Sequence, residues 1–251
     1  MSRRILAAFI FFTRLPFWKL GEVPVAYFKN IVSFWALTGW LTAGLSVAVL
    51  YVTSWFLPAS VAILCAIITR LLVTGCLHED GLADFFDGFG GGTSRERILS
   101  IMKDSHIGSY GVIGLIFYFG MLYLLLSSLP VKMACFAILA GDPFCKGVCS
   151  MIINRLPYAR KEEEAKNKTV YSPMSGQEYV YSLTCGLLPM FLLPQPIYWL
   201  AGIFPILSWC FLIGFMRRKI QGYTGDCCGA IFLLCELSFY LGFVIIYRAF
   251  Y

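Results

Sequence analysis

Two windows of this sequence, Ile31 to Phe56 and Ser109 to Leu129, each exceed twenty residues without one charged side chain. Hydrocarbon offers backbone amides no water to bond, so a segment crosses a bilayer as a helix of about 20 mostly apolar residues. Ile197 to Met216 and Cys227 to Tyr247 are nearly as clean. Val61 to Leu77 carries Arg70, Met133 to Ile153 carries Asp142 and Lys146, and Tyr179 to Leu193 is interrupted by Pro189. With these three the sequence predicts about seven spans. Pro58-Ala59, Pro130-Val131 and Pro194-Gln195-Pro196 supply the turns of three helical hairpins that precede a last helix. A chain that is 59% hydrophobic and 14% charged over 251 residues is not an ordinary water-soluble domain. The expected fold is all-α, a polytopic transmembrane bundle forming a single domain over residues 1–251, with the lipid bilayer as its surroundings.

Charge placement sets the expected orientation. Sixteen of the twenty Lys and Arg fall on one face, in the N-terminal segment and the loops at about 78–108, 154–178 and 217–226. The positive-inside rule makes that face, and the N-terminus, cytoplasmic. For a bacterial chain this means a multi-pass protein of the inner membrane with those loops in the cytoplasm. Arg3-Arg4 before Ile5 to Phe12 reads as an interfacial segment. The ten cysteines are mostly scattered singly through apolar runs and read as small hydrophobes. The modest net charge of +6 is explained by these loops, and nucleic acid is not an expected partner.

The polar residues concentrate in one place, His78-Glu79-Asp80-Gly81-Leu82-Ala83-Asp84-Phe85-Phe86-Asp87-Gly88. Asp80, Asp84 and Asp87 are spaced i, i+4, i+7, so a helix continuing the second span puts their carboxylates on one face. Three neighbouring carboxylates repel unless a cation lies between them, and hard oxygen ligands suit Mg²⁺ or Mn²⁺. A merely solvated helix end would interleave lysines. Gly88-Phe89-Gly90-Gly91-Gly92 follows, then Arg95, Arg97 and Lys103-Asp104. A glycine run admits an anion to backbone amides, and the cations after it match phosphate oxygens. Metal, glycines and cations together point to phosphoryl transfer. Two loops on the same face add Arg155, Tyr158-Ala159-Arg160 and Gly222-Tyr223-Thr224-Gly225-Asp226. Asp142, Lys146 and Glu236, costly in lipid, are expected to point inward and pair. Arg70 is expected to snorkel to the interface, and Lys161-Glu162-Glu163-Glu164 to be a solvated loop.

These residues carry a resemblance. His78-x-Asp80-Gly81-Leu82-Ala83-Asp84-x-x-Asp87-Gly88 resembles the signature of the cobalamin synthase family, the adenosylcobinamide-GDP ribazoletransferases. Phe12-Thr13-Arg14-Leu15-Pro16, Ile101-Met102-Lys103-Asp104-Ser105 with Gly108 and Gly111, Tyr158-Ala159-Arg160, Gly222-x-Thr224-Gly225-Asp226-x-x-Gly229-Ala230 and Glu236 resemble its further blocks, in order. The resemblance implies that an alcohol of α-ribazole, or of its 5′-phosphate, attacks the cobinamide-linked phosphorus of adenosylcobinamide-GDP, with GMP leaving and Mg²⁺ as cofactor. It implies metal ligation by Asp80, Asp84 and Asp87, and catalytic roles for Asp84, Asp87, Asp104 and Asp226. Substrate contacts fall to Arg14, His78, Arg95, Arg97, Lys103, Lys146, Tyr158, Arg160 and Thr224. The pathway the resemblance implies makes association with other cobalamin-assembly enzymes an expectation, with a homo-oligomer as the alternative, and no residue of the sequence points to either. Lys146 stands where relatives carry arginine, and the glutamate-rich run after Arg160 also departs from the pattern. Two rival readings remain open. Asp84-x-x-Asp87-Gly88 also resembles the start of the CDP-alcohol phosphotransferase motif, and acids within spans would suit an ion-coupled transporter.

Overall fold

In the computed structural model, which describes residues 2–160 and 170–250, the elements are helical and the one β-type pairing is a parallel bridge between Tyr158 and Tyr223. The run from Lys161 to Glu164 lies outside the described residues. In chain order the helices are α1 (Arg3–Phe12), α2 (Trp35–Thr53), α3 (Ala59–Thr74), α4 (Leu77–Gly91), α5 (Arg95–Ile101), α6 (Ser109–Ser127), α7 (Val131–Ser150), α8 (Ile152–Arg155), α9 (Gly176–Leu187), α10 (Ile203–Lys219) and α11 (Gly225–Phe250). Short 3₁₀ turns occupy Phe17–Leu20, Val25–Asn30, Val32–Phe34, Leu188–Leu192 and Pro196–Gly202.

Among the described residues, five segments are long and apolar enough to cross a membrane, Val32–Thr53, Ser109–Ser127, Val131–Arg155, Pro196–Lys219 and Gly225–Phe250, and a sixth if the bent pair Ala59–Thr74 and Leu77–Gly91 is one span. The seven expected differ from these at two points. The second hairpin arm is not one helix running on into the acidic cluster, because α3 and α4 are bent by 91° at Gly75-Cys76. Both corner residues are left-handed, Gly75 at φ +65° and Cys76 at φ +57°, which ends α3 and starts α4 in a new direction. The expected span over Tyr179–Leu193 is instead the 12-residue α9 and a 3₁₀ turn containing Pro189. Its twelve α-helical residues alone rise about 18 Å, so α9 without the 3₁₀ turn is shorter than a hydrocarbon core of about 30 Å.

Burial separates the helices into an inner and an outer set. The α7 and α11 segments are mostly buried within the bundle, while α2, α6 and α10 are mostly outward. Leu72, Phe117 and Phe211 are about 70% exposed (72%, 68% and 71%), an apolar surface suited to lipid. Small residues allow the inner helices to close up. A Cβ on Gly39 would lie 2.8 Å from Pro143 Cα, and Gly147 and Gly186 meet backbone to backbone.

The charges within the spans point inward, as expected for Asp142, Lys146 and Glu236, which are each 1% exposed. Lys146 Nζ lies 2.6 Å from Asp142 Oδ1 and donates to Thr42 Oγ1, whose hydroxyl in turn donates to Asp142 Oδ2. Arg70 does not snorkel. It is buried, donates to Glu236 and to Tyr118 Oη (2.6 Å), and pairs with Glu79 Oε1 at 3.4 Å. Tyr240 donates to the other Glu236 oxygen at 2.8 Å. One guanidinium therefore ties α3, α4, α6 and α11 together just beneath the acidic helix. The ten cysteines are all free thiols.

Candidate active site

The corner at Gly75-Cys76 lays α4 across one end of the bundle, where glycines set its distance from α11. A Cβ on Gly81 would lie 2.8 Å from the Asp226 carbonyl oxygen, and one on Gly229 would lie 2.9 Å from that of His78. Only hydrogen fits at either position, so the two backbones touch and Asp226 is held beside the first turn of α4. Thr224 caps α11, its hydroxyl accepting the Cys227 amide at 3.3 Å, and Asp226 sits in the first turn, where the helix dipole favours a carboxylate.

The loop before α11 is joined to the loop after α8. Ala159 N–H donates to the Tyr223 carbonyl (2.8 Å) and Tyr223 N–H to that of Pro157 (3.0 Å). Arg95 fastens both, Nε donating to the Ile220 carbonyl (2.9 Å) and Nη2 to that of Ala159 (2.7 Å). These bonds bring Tyr158 and Arg160 over the α4–α11 contact. The result is a cavity of ≈ 130 Å³ whose polar lining is His78, Asp80, Tyr158, Arg160, Tyr171 and Asp226. Its apolar lining is Phe11, Phe12, Val32, Trp35 and Leu77, completed by Gly225, Cys228 and Gly229.

Four residues expected at the site therefore meet at this cavity with Asp226. Asp80 is exposed into it, whereas His78 is buried at its wall, its Nε2 accepting the Trp35 indole N–H at 3.3 Å. Burial pushes the Tyr158 phenol up to about 12 against the opposing pull of Arg160, and raises Tyr171 as well, so both hydroxyls stay protonated at neutral pH. Arg160 donates from Nη2 to the Leu99 carbonyl at 3.0 Å, while its Nη1 is 4.0 Å from Asp226 Oδ2.

The other expected residues are distributed around this centre. Asp84 is half-buried one turn beyond Asp80. Asp87 shares their face but is buried, its two oxygens accepting the amides of Gly108 (2.7 Å) and Gly111 (2.8 Å) at the start of α6. Seven residues of helix separate Asp80 and Asp87 by about 10 Å, too far for one Mg²⁺ with ligands at about 2 Å. Accordingly, among the described residues no three His, Cys, Asp or Glu converge on a point that could hold a metal. The glycine run is no amide cradle either. Helix α4 continues to Gly91, and Gly88 and Gly92 serve to admit α5, packing against Met102 and Ile98.

Arg14 is exposed and covers Gly75 at the corner. Lys103 and Asp104 line an open groove with Arg95 and Arg160, and Arg97 is exposed on the surface beside it. Two hydrogen bonds from His106 hold the exposed Asp104 carboxyl below its usual range. Lys146 is taken furthest from its expected role, since its ammonium is enclosed with Asp142 and Thr42 inside the bundle. Sequence reasoning missed the aromatic wall. Phe12 belonged to a recognised block, but Trp35 stood in a window that announced only a membrane helix.

The sequence matches the family described as cobalamin-5-phosphate synthase over residues 4–244. The chain belongs to this family. The match spans the whole cavity, from Phe11 on α1 to Gly229 on α11. It is 35% identical over 257 aligned positions to an adenosylcobinamide-GDP ribazoletransferase of Leptospira interrogans serovar copenhageni, covering 96% of this chain and 95% of that one. It is 36% identical over 248 positions to the enzyme of the same name from Shewanella sp. strain W3-18-1, covering 96% and 93%. The counterpart from Shewanella oneidensis is 33% identical, covering 94% and 91%. No solved structure matches the chain.

Proposed function

We propose that this family member joins adenosylcobinamide-GDP to α-ribazole or its 5′-phosphate, giving adenosylcobalamin or its 5′-phosphate and GMP. The observation that carries the reading is that three separate segments, at His78-Asp80, Tyr158-Arg160 and Asp226, contribute to one cavity. In the reaction the ribazole hydroxyl oxygen forms a bond to the cobinamide-linked phosphorus, the phosphorus–oxygen bond to GMP breaks, and the hydroxyl proton is released. Asp226, which lines the cavity, is placed to accept that proton, whereas Asp104 is bonded to His106 on the surface. Arg160 offers a planar fork to phosphate oxygens. Tyr158, protonated, donates to the same charge.

The carboxylates also fit Mg²⁺, in a smaller set than the sequence suggested. Mg²⁺ is commonly held by one or two carboxylates together with substrate phosphates. Asp80 and Asp84, one helical turn apart on one face, supply such a pair, while Asp87 fastens α6 instead. When bound, the ion would neutralise charge on the diphosphate and on departing GMP.

The same proposal places the site in the cytoplasm of a bacterial cell, at its inner membrane, with seven crossings. The seventh is the segment from Gly176 to Leu192. It runs antiparallel to α7, Ser182 beside Ser150 (2.9 Å) and Gly186 beside Gly147. Its 12 α-helical and five 3₁₀ residues rise about 18 Å and about 10 Å, close to the hydrocarbon thickness. The transporter reading loses support because Asp142, Lys146, Arg70 and Glu236 are paired with one another. The test is GMP release by protein in membranes. Release requiring both α-ribazole phosphate and Mg²⁺ is expected, and its absence from folded protein would remove the assignment.

A further inference from the structure

The cavity and the groove beside it differ in size and chemistry, and they share Tyr158 and Arg160. The cavity is small, ≈ 130 Å³, against pockets of roughly 300–1,000 Å³ for drug-sized ligands. Its inner wall is a set of nearly parallel rings. Phe12 stacks on Trp35 at an interplanar angle of 14° and on His78 at 9°, and Trp35 lies at 20° to His78. These three rings are buried, while Asp80 is exposed and Asp226 half-buried. The cavity therefore grades from flat and apolar inside to charged at its mouth. The groove is of ≈ 830 Å³, open, and carries Arg95, Lys103 and Arg160 beside Glu96 and Asp104. The Arg160 side chain stands between the two, bonded to Leu99 on one side and close to Asp226 on the other.

We propose that the aromatic cavity is the subsite for the base of α-ribazole, and that adenosylcobinamide-GDP lays its diphosphate along the basic groove, with Arg160 at the boundary where the two substrates react. This assignment rests on the ribazoletransferase activity proposed above. A flat heteroaromatic base suits a wall of parallel rings, and its attached ribose then reaches the acids at the mouth. The donor is far too large for ≈ 130 Å³ and carries the phosphate charge that the groove cations match. Stacking gains little from hydrogen-bond geometry, so a cavity built this way selects a planar base by shape.

The test uses the full chain in membranes, with GMP release followed while each substrate is varied in turn. Trp35→Leu is expected to raise KM for α-ribazole about tenfold while KM for adenosylcobinamide-GDP stays within about twofold. Trp35→Phe, which keeps a ring, should recover most of the loss. Lys103→Ala should do the reverse of Trp35→Leu, raising KM for the donor severalfold and leaving that for α-ribazole. As a readout independent of turnover, α-ribazole alone should quench tryptophan fluorescence in the wild-type protein and lose most of that quench in Trp35→Phe. An active wild type in which Trp35→Leu moves only the donor KM, or in which the quench survives Trp35→Phe, would overturn the subsites while leaving the activity standing. A wild type that releases no GMP would instead remove the activity on which they rest.

Discussion

Replacing Gly81 by alanine should damage turnover well before it damages the fold. The added Cβ would lie 2.8 Å from the Asp226 carbonyl oxygen and 3.0 Å from Asp226 Cα, and neither is a flexible side chain that can swing aside. Helix α11 must retreat by roughly 0.6 Å, the difference between 2.8 Å and the 3.4 Å at which ordinary contact begins. Overpacking of this kind costs about 1–3 kcal/mol, which a bundle this extensively packed should survive. Catalytic geometry is less tolerant, since a misplacement of about 1 Å can cost about 100-fold. Gly81→Ala is therefore expected to lower kcat for GMP release between about tenfold and a hundredfold, with a modest drop in the melting temperature of detergent-solubilised protein. Gly229→Ala presses on His78 from the other side of the same contact and should act similarly. Gly44→Ala and Gly120→Ala are the controls, because a Cβ at either meets nothing within 4 Å. Each should be neutral or stabilising by up to about 1 kcal/mol. If Gly81→Ala turned over at the wild-type rate, the close approach of α4 and α11 would not be what positions Asp226.

Other perturbations separate structural acids from those of the site. Arg70→Met leaves Glu236 and Glu79 buried without their cation and should destabilise the protein by about 3–5 kcal/mol; adding Glu236→Leu should restore part of that loss in thermal unfolding. Asp87→Ala deprives the buried Gly111 amide and the half-buried Gly108 amide of their acceptor, at about 1–3 kcal/mol for the buried one, so it should lower the melting temperature, whereas Asp80→Asn should leave melting almost unchanged and abolish GMP release. Chelating Mg²⁺ should stop wild-type turnover reversibly, and Asp84→Asn should raise the Mg²⁺ concentration needed for half-maximal rate by at least tenfold.

Much of this protein is legible in its sequence. Uncharged windows of twenty residues have one solution in lipid, so Val32–Thr53 and Ser109–Ser127 were determined by composition alone. The cost of an unpaired charge in hydrocarbon likewise required Asp142 and Lys146 to find partners. The period of the helix put Asp80, Asp84 and Asp87 on one face. Which of them stays accessible is decided by what packs over that face. The start of α6 covers Asp87 and bonds both its oxygens, while Asp80 stays exposed at the cavity. The bend at Gly75-Cys76 turns on two left-handed residues, one of them a cysteine that no local preference marks. Trp35 shows the same limit. Its place in the sequence says only that it can lie in a membrane helix, and its role as a wall beside His78 depends on α1, α2, α4 and α11 meeting at one end of the bundle. Periodicity and solvent act on each segment separately and so can be read from sequence, whereas the cavity is formed by contacts between residues as far apart as Phe11 and Gly229, which exist only once the helices have packed.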